Sequence, residues 1–265
     1  FWYLLKNPPT VMSTLSLFTK AALLLAMTAI STTLIIASSQ RQSLTIDEAN
    51  HLNCGTEWLQ YHTYTLWPEN PPLSRMAVAL GPYLDGHRIE RPQVANNKSF
   101  FEAFVNSYSH DYYDNGEMTD RLFWSRIFII PFFVLSLVIV WTWTNSIAGE
   151  NAALIGTTLY AFLPPVLAHS GLGTTDISFM ATFILALWTF TRWLEKPEYL
   201  NAIWCGLAIA LCLVTKFSIL VFFPMCALPL TMSWLFWGIK TSSWTYANWF
   251  RSILRSGFVL SVVTV

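Results

Sequence analysis

Asp47 and Glu48 lie in Thr45–Arg75, the most polar and most patterned stretch of a very apolar chain. Thr45-Ile-Asp-Glu48 reads as a capping box, with Thr45 as N-cap and Glu48 at the third helical position. A helix starting there carries Asp47 and His51 four residues apart, on one face. Its first-turn acids sit at the positive end of the helix dipole, which favours their ionised form. A carboxylate held charged in that place is a cap or a working group. Thr45 and Glu48 already complete the box, so Asp47 is surplus to capping and is the stronger candidate for chemistry.

Asp176 is the one acid near the short loops on the same predicted face, in Ser170-Gly-Leu-Gly-Thr-Thr-Asp176. It is an N-cap or, as an ionisable group at the edge of an apolar run, a functional group. Lys216 sits between two apolar runs. It is a snorkelling interfacial lysine or the holder of an anion such as a lipid phosphate. Arg75 and Arg126 are further phosphate candidates or interfacial anchors. Asp47, His51 and Asp176 together are a candidate divalent-metal set, although no spacing rule spans so long a gap. Glu69 and Asn70 stand in the rigid turn Trp67-Pro-Glu-Asn-Pro-Pro-Leu73, where proline-fixed turn chemistry is the plain reading.

The elements that must position these groups are membrane elements. Charged residues make up 11% of the 265, against about a quarter in soluble proteins, and hydrophobic residues 54%. The formal net charge is zero, which gives no reason to expect a nucleic-acid partner. The 13 Trp and 19 Phe need no cofactor, because aromatic belts at both interfaces account for them. Cys205, Cys212 and Cys226 fall in apolar runs and Cys54 stands apart, so no disulfide framework follows.

Apolar runs occupy about 16–38, 125–145, 151–169, 176–194, 200–215 and 217–238, and another begins near 254. Residues 1–20 read as an interfacial lead-in. Between the first two runs lies a long polar segment, 39–123. It carries a helix over 47–61, a second short helix over Leu73–Leu84 after Pro71-Pro72, and then loop with a short helix near Phe100–Val105. Asn97-Lys98-Ser99 is a glycosylation sequon in that loop. Residues 239–253 read as a polar connection. The expected fold is all-α: one polytopic transmembrane bundle over 1–265, with 39–123 as an extracytoplasmic loop bearing interfacial helices. The chain reads as a fragment with more spans expected beyond Val265.

With the N-terminus inside, Lys6, Lys20, Arg192, Lys196, Lys240, Arg251 and Arg255 fall inside, and the short outer loops hold only Lys216. Segment 39–123, loop 170–175 and Lys216 then share the outer face. The middles of the apolar runs carry no acid or base, which suits surface chemistry better than an ion relay.

Asp47-Glu48, His51-Leu52, Gly55 and Pro68-Glu69-Asn70-Pro71-Pro72-Leu73 resemble the first outer loop of the GT-C membrane glycosyltransferases. The likeness is to the branch akin to protein O-mannosyltransferases and the lipid A aminoarabinose transferase. Pro164, Ala168-His169-Ser170 and Thr174-Thr175-Asp176 resemble that family's second acidic loop, and Gly206 through Pro224 the stretch after its fifth span. The resemblance runs over roughly 20–230. It implies transfer of a hexosyl or pentosyl group from a polyprenyl- or dolichyl-phosphate carrier to an acceptor hydroxyl, with Asp47, Glu48 and Asp176 as catalytic acids. It implies that Lys216, with Arg75 and Asn70, meets the carrier phosphate. Relatives often carry His or Lys where this chain has Asn70, and Asn supplies no positive charge. The expected partners are the lipid-linked donor, membrane lipid and an acceptor lipid, glycan or protein; a divalent cation is the one candidate cofactor. The expected place is a bacterial inner or plasma membrane, with the site on the extracytoplasmic side. The competing expectation is a non-catalytic membrane protein, such as a transporter or an assembly subunit.

Overall fold

The computed structural model describes residues 16–89, 117–238 and 245–264. The first fifteen residues of the lead-in expected over 1–20, the helix expected near Phe100–Val105 and the Asn97 sequon lie outside them; residues 17–20 of the lead-in instead begin the first helix. Every regular element among the described residues is helical. In order they are α1 (Leu17–Ser39), α2 (Ile46–Tyr61), α3 (Pro72–Leu84), α4 (Glu117–Ile127), α5 (Ile130–Ala161), α6 (Pro164–Ser170), α7 (Asp176–Glu195), α8 (Tyr199–Leu213), α9 (Ile219–Ser233) and α10 (Tyr246–Thr264). A π-helical turn, Trp234–Gly238, continues α9.

Among the described residues, four helical stretches are long and apolar enough to cross a membrane: Phe18–Ser39, Asp120–Ala161, Asp176–Glu195 and Ile219–Phe236. Leu25, Val221, Met225 and Leu228 are among the large apolar side chains on their open faces. In a bilayer such faces meet lipid rather than water.

Two compact units emerge. One comprises residues 29–133 and 162–179; the other comprises residues to 28, 134–161 and 180–265. In the first unit, α2 begins at the Thr45 box and ends at His62, which takes the left-handed conformation (φ 54°) that commonly closes a helix. α3 starts on Pro72, whose fixed φ suits the first helical turn. The two helices press together at Gly55. A Cβ there would lie 2.0 Å from the Arg75 carbonyl oxygen, so only glycine permits this crossing. α3 meets α4 the same way, with a Cβ on Gly81 only 2.9 Å from the Trp124 carbonyl. Leu52, Cys54, Val78, Ala79, Ile129 and Phe133 fill the unit's interior.

In the second unit, the apolar runs expected over 125–145 and 151–169 join at a single residue. Gly149 has φ 80°, a conformation that L side chains avoid, and α5 reverses there. The Tyr160 hydroxyl donates to Ser136 Oγ at 2.8 Å, and a Cβ on Gly156 would sit 3.6 Å from Thr144. Residues at similar separations on either side of Gly149 therefore face each other, as in a helical hairpin. The later run stops short of 169: the chain breaks at Phe162-Leu163, and Pro164-Pro165 start the separate short helix α6.

The polar connection expected over 239–253 is shorter than that. α10 begins at Tyr246, because Trp249 is wanted in a core. That core gathers Phe190, Trp193, Leu194, Ala202, Cys205, Trp234 and Trp249. Trp249 Nε1 donates to the Leu194 carbonyl at 2.8 Å and Trp193 Nε1 to Ser256 Oγ at 2.9 Å, so these two of the core's three indoles are satisfied. All four cysteines are free thiols.

Candidate functional site

The capping box forms as its sequence pattern requires. The Glu48 carboxylate accepts the Thr45 backbone N–H at 3.0 Å and the Thr45 hydroxyl at 3.1 Å. Capping is the smaller part of what Glu48 does. Its side chain is 2% exposed and meets the Arg126 guanidinium as a fork, Nε to Oε1 at 2.7 Å and Nη2 to Oε2 at 2.8 Å. Oε1 also accepts the Gly173 N–H at 2.8 Å. Burial pushes the Glu48 carboxyl up. The Arg126 bonds and charge, with the Gly173 and Thr45 N–H groups, outweigh this and hold it below the ordinary carboxylate value.

Arg126 is equally committed. Besides its two bonds to Glu48, Nη1 donates to the Ser39 and Gln42 carbonyls, and Nη2 donates to the Ser43 carbonyl. Those bonds use all five of its N–H groups. One guanidinium thus ties the end of α1, the link to α2, and the first turn of α2. Arg126 is a structural cation, so the phosphate role weighed for it does not apply. Glu48 is likewise no free base: both its oxygens are occupied by donors.

The Glu48–Gly173 bond joins the start of α2 to the loop that leads into α7. Asp47 precedes Glu48 and Asp176 follows Gly173 by three residues. Backbone steps of 3.8 Å, with one side chain and one hydrogen bond between, hold the two acids within about 25 Å. A hydrocarbon core is about 30 Å thick, so they do not lie at opposite leaflets. Asp47 is exposed. Asp176 is 45% exposed and pairs with His169, Nδ1 to Oδ2 at 3.3 Å. Sequence reasoning quoted His169 without giving it a role; it ends one helix while Asp176 starts the next across a loop, so periodicity offered no signal.

His51 does not share Asp47's setting, although the two are four residues apart. It is buried, while Asp47 opens outward. Among the described residues, no group of three or more His, Cys, Asp or Glu side chains gathers as a metal centre, and Asp47, His51 and Asp176 make no such set.

Arg75 also departs from expectation. It is 1% exposed, donates to Tyr64 Oη at 2.9 Å and to the Trp67 carbonyl, and lies over the Tyr64 ring at 5.5 Å. Burial pushes the Tyr64 phenol up to about 12 despite Arg75, so it stays protonated and donates to the Asn70 carbonyl. Arg75 therefore staples the proline turn from inside and is not open to a carrier phosphate. Asn70 is half-buried in that turn. Glu57, which sequence reasoning passed over, is fully buried. It accepts the Thr65 N–H at 2.8 Å, the Leu66 N–H at 3.0 Å and the Thr63 hydroxyl at 3.1 Å. Ser74 and Ser178 meet at 2.7 Å, a further tie between α3 and the first turn of α7.

Lys216 belongs to the other unit. It is half-buried at the joint of α8 and α9, where its N–H donates to the Cys212 carbonyl at 3.0 Å.

A family model described as dolichyl-phosphate-mannose-protein mannosyltransferase matches residues 119–260, more than half of the chain. The match takes in Arg126, Asp176 and Lys216 and leaves out Asp47 and Glu48. No curated protein and no solved structure matches the chain.

Proposed function

Since the chain belongs to the dolichyl-phosphate-mannose-protein mannosyltransferase family, we propose that it moves a sugar from a polyprenyl- or dolichyl-phosphate carrier to an acceptor hydroxyl, with Asp47 as general base. Membership makes it an integral, multi-pass membrane glycosyltransferase of the kind served by polyprenyl-phosphate sugars. It also favours this reading over a transporter or an assembly subunit.

The observation that carries the assignment is the bond from Glu48 to Gly173. It brings the helix start bearing Asp47 to the loop bearing Asp176 and leaves both acids solvent-accessible. The acceptor hydroxyl attacks the anomeric carbon. The new C–O bond forms as the bond to the carrier phosphate breaks, the hydroxyl proton passes to the Asp47 carboxylate, and the lipid phosphate leaves with the electron pair. A base so placed is worth about 10²–10⁴-fold. A single displacement inverts the anomeric centre, by analogy with inverting glycosidases.

Asp176, oriented by His169, is the second acid and faces the sugar or acceptor. The family resemblance assigns Lys216 to the carrier phosphate, where a cation would stabilise the negative charge that develops as the bond breaks. A divalent cation held by that phosphate would supply the same stabilisation. The reaction is placed on the extracytoplasmic face of the membrane, with the carrier tail among the spans.

The test is transfer by the purified chain from a panel of polyprenyl-phosphate sugars, beside Asp47→Asn. Turnover by the wild type and loss in the variant, with folding unchanged, is the expected result. Near-normal turnover by Asp47→Asn removes Asp47 as the base.

A further inference from the structure

After α3 the chain turns through Asp85 and Gly86 into His87 and Arg88. Together with the start of α4 this turn encloses a cleft of about 490 Å³, lined by Asp85, His87, Arg88, Asp120 and Arg121 among others. That lies within the range of ligand-sized clefts, about 300–1,000 Å³. The His87 N–H donates to the Pro82 carbonyl at 2.8 Å, which fixes the turn. The side chain is 6% exposed, and neither ring nitrogen has a hydrogen-bond partner. Buried polar groups are nearly always satisfied, so a pair of orphaned nitrogens on one ring calls for an occupant.

The chemistry of the lining narrows that occupant. Burial, then the charges of Arg121 and Arg88, push His87 down to about 4, so it is neutral at physiological pH. A neutral imidazole presents one donor and one acceptor. Two neighbouring hydroxyls, one accepting from the ring N–H and one donating to the bare nitrogen, satisfy it, whereas a carboxylate or a fully ionised phosphate only accepts. Arg88 and Arg121 add donors; Asp85 and Asp120 add acceptors; the two pairs of charges balance. Arg88 is held in place by stacking 3.9 Å over the Tyr83 ring and by donating to the Tyr83 and His87 carbonyls. A balanced ring of donors and acceptors suits neighbouring sugar hydroxyls. Asp120 also lines a second cleft, of about 350 Å³, with Ser39, Gln42 and Arg126. The His87 cleft therefore adjoins the guanidinium that anchors the Asp47 helix.

We propose that the cleft around His87, Arg88 and Arg121 is a subsite for an uncharged saccharide on the acceptor side of the reaction. Only the word acceptor rests on the transferase reading; saccharide binding stands apart from it.

The experiment is saturation-transfer difference NMR on the full chain in detergent. The probes are free mannose, glucose, N-acetylglucosamine and mannobiose, with inorganic phosphate as the competing probe. At least one saccharide gives signal with the wild type. His87→Leu, which keeps bulk and removes both polar atoms, weakens it about tenfold, the scale of one lost hydrogen bond. His87→Asn, which keeps a donor and an acceptor, restores most of it. Should His87→Leu fail to fold, Arg121→Gln takes its place, with loss of signal again expected. Equal signal in wild type and folded variants overturns the proposal. So does wild type that binds no saccharide, or one that binds phosphate in preference. Asp47→Asn separates the two readings: it abolishes transfer and leaves the saccharide signal intact.

Discussion

Glu48 and Arg126, 78 residues apart in sequence, meet as a two-pronged ion pair with each side chain 2% exposed. Removing one partner leaves the other charged and buried without a counter-ion. Glu48→Gln and Arg126→Met should each cost about 3–5 kcal/mol of stability. The double variant should recover part of that loss, which a double-mutant cycle by thermal unfolding in detergent measures. Additive losses would mean that the pair is not coupled.

The same carboxylate sets an acid limit. Its folded-state value is held below the ordinary one, so the unfolded chain takes up its proton first as pH falls. The stabilisation is fully present above the unfolded value of about 4.3 and disappears as pH drops through the lower folded value. Unfolding midpoints should hold from pH 7 to about 5 and then decline. Glu48→Gln, less stable throughout, should show a shallower decline.

Gly55→Ala tests the helix crossing. Its new Cβ would fall 2.0 Å from a backbone oxygen that cannot swing aside. α2 and α3 must separate, at a cost of about 1–3 kcal/mol or more. A melting temperature equal to wild type would show that the crossing is not tight.

Asp47→Asn and Asp176→Asn should separate activity from stability. Both sites are open to solvent, so unfolding should change by about 0.5 kcal/mol or less. Turnover should fall about 10²–10⁴-fold for Asp47→Asn. Asp176→Asn should also reduce turnover, less steeply. A stable Asp176→Asn with full turnover would leave Asp176 a helix-start residue only.

Two cations should part company in kinetics. Lys216→Ala should raise the KM for the lipid-phosphate donor about tenfold, the order of one charge-assisted hydrogen bond. Arg75→Lys should instead lower the melting temperature, because lysine cannot reproduce the planar contacts with Tyr64 and Trp67. Its donor KM, measured below that melting point, should stay unchanged.

The local parts of this architecture were legible in the sequence, and the distant parts were not. Thr45-x-x-Glu48 announced a helix start, and Pro71-Pro72 announced another, because capping and proline act over one turn. Four span-length stretches were legible from length and apolarity, whereas the run at 200–215 forms only the shorter apolar helix Tyr199–Leu213. Arg126 as the partner of Glu48 was not, since any of several arginines satisfied the pattern and only folding selects one. Arg75 misled for a related reason: a guanidinium beside a polar turn reads the same whether it faces in or out. The Gly149 reversal falls in the short connection expected between the runs 125–145 and 151–169, though its confinement to one residue was not legible, and α10 began early because Trp249 had a core to join.

A donor confined to a bilayer arrives at a fixed height, and whatever attacks it must wait at that height. Ser39, Gln42 and Ser43 hang by their carbonyls from the same guanidinium that grips the first turn of the Asp47 helix. The few residues between span and helix consequently have no slack to pay out. Arg126 works as a plumb line, setting how far above the lipid the proposed base can ride.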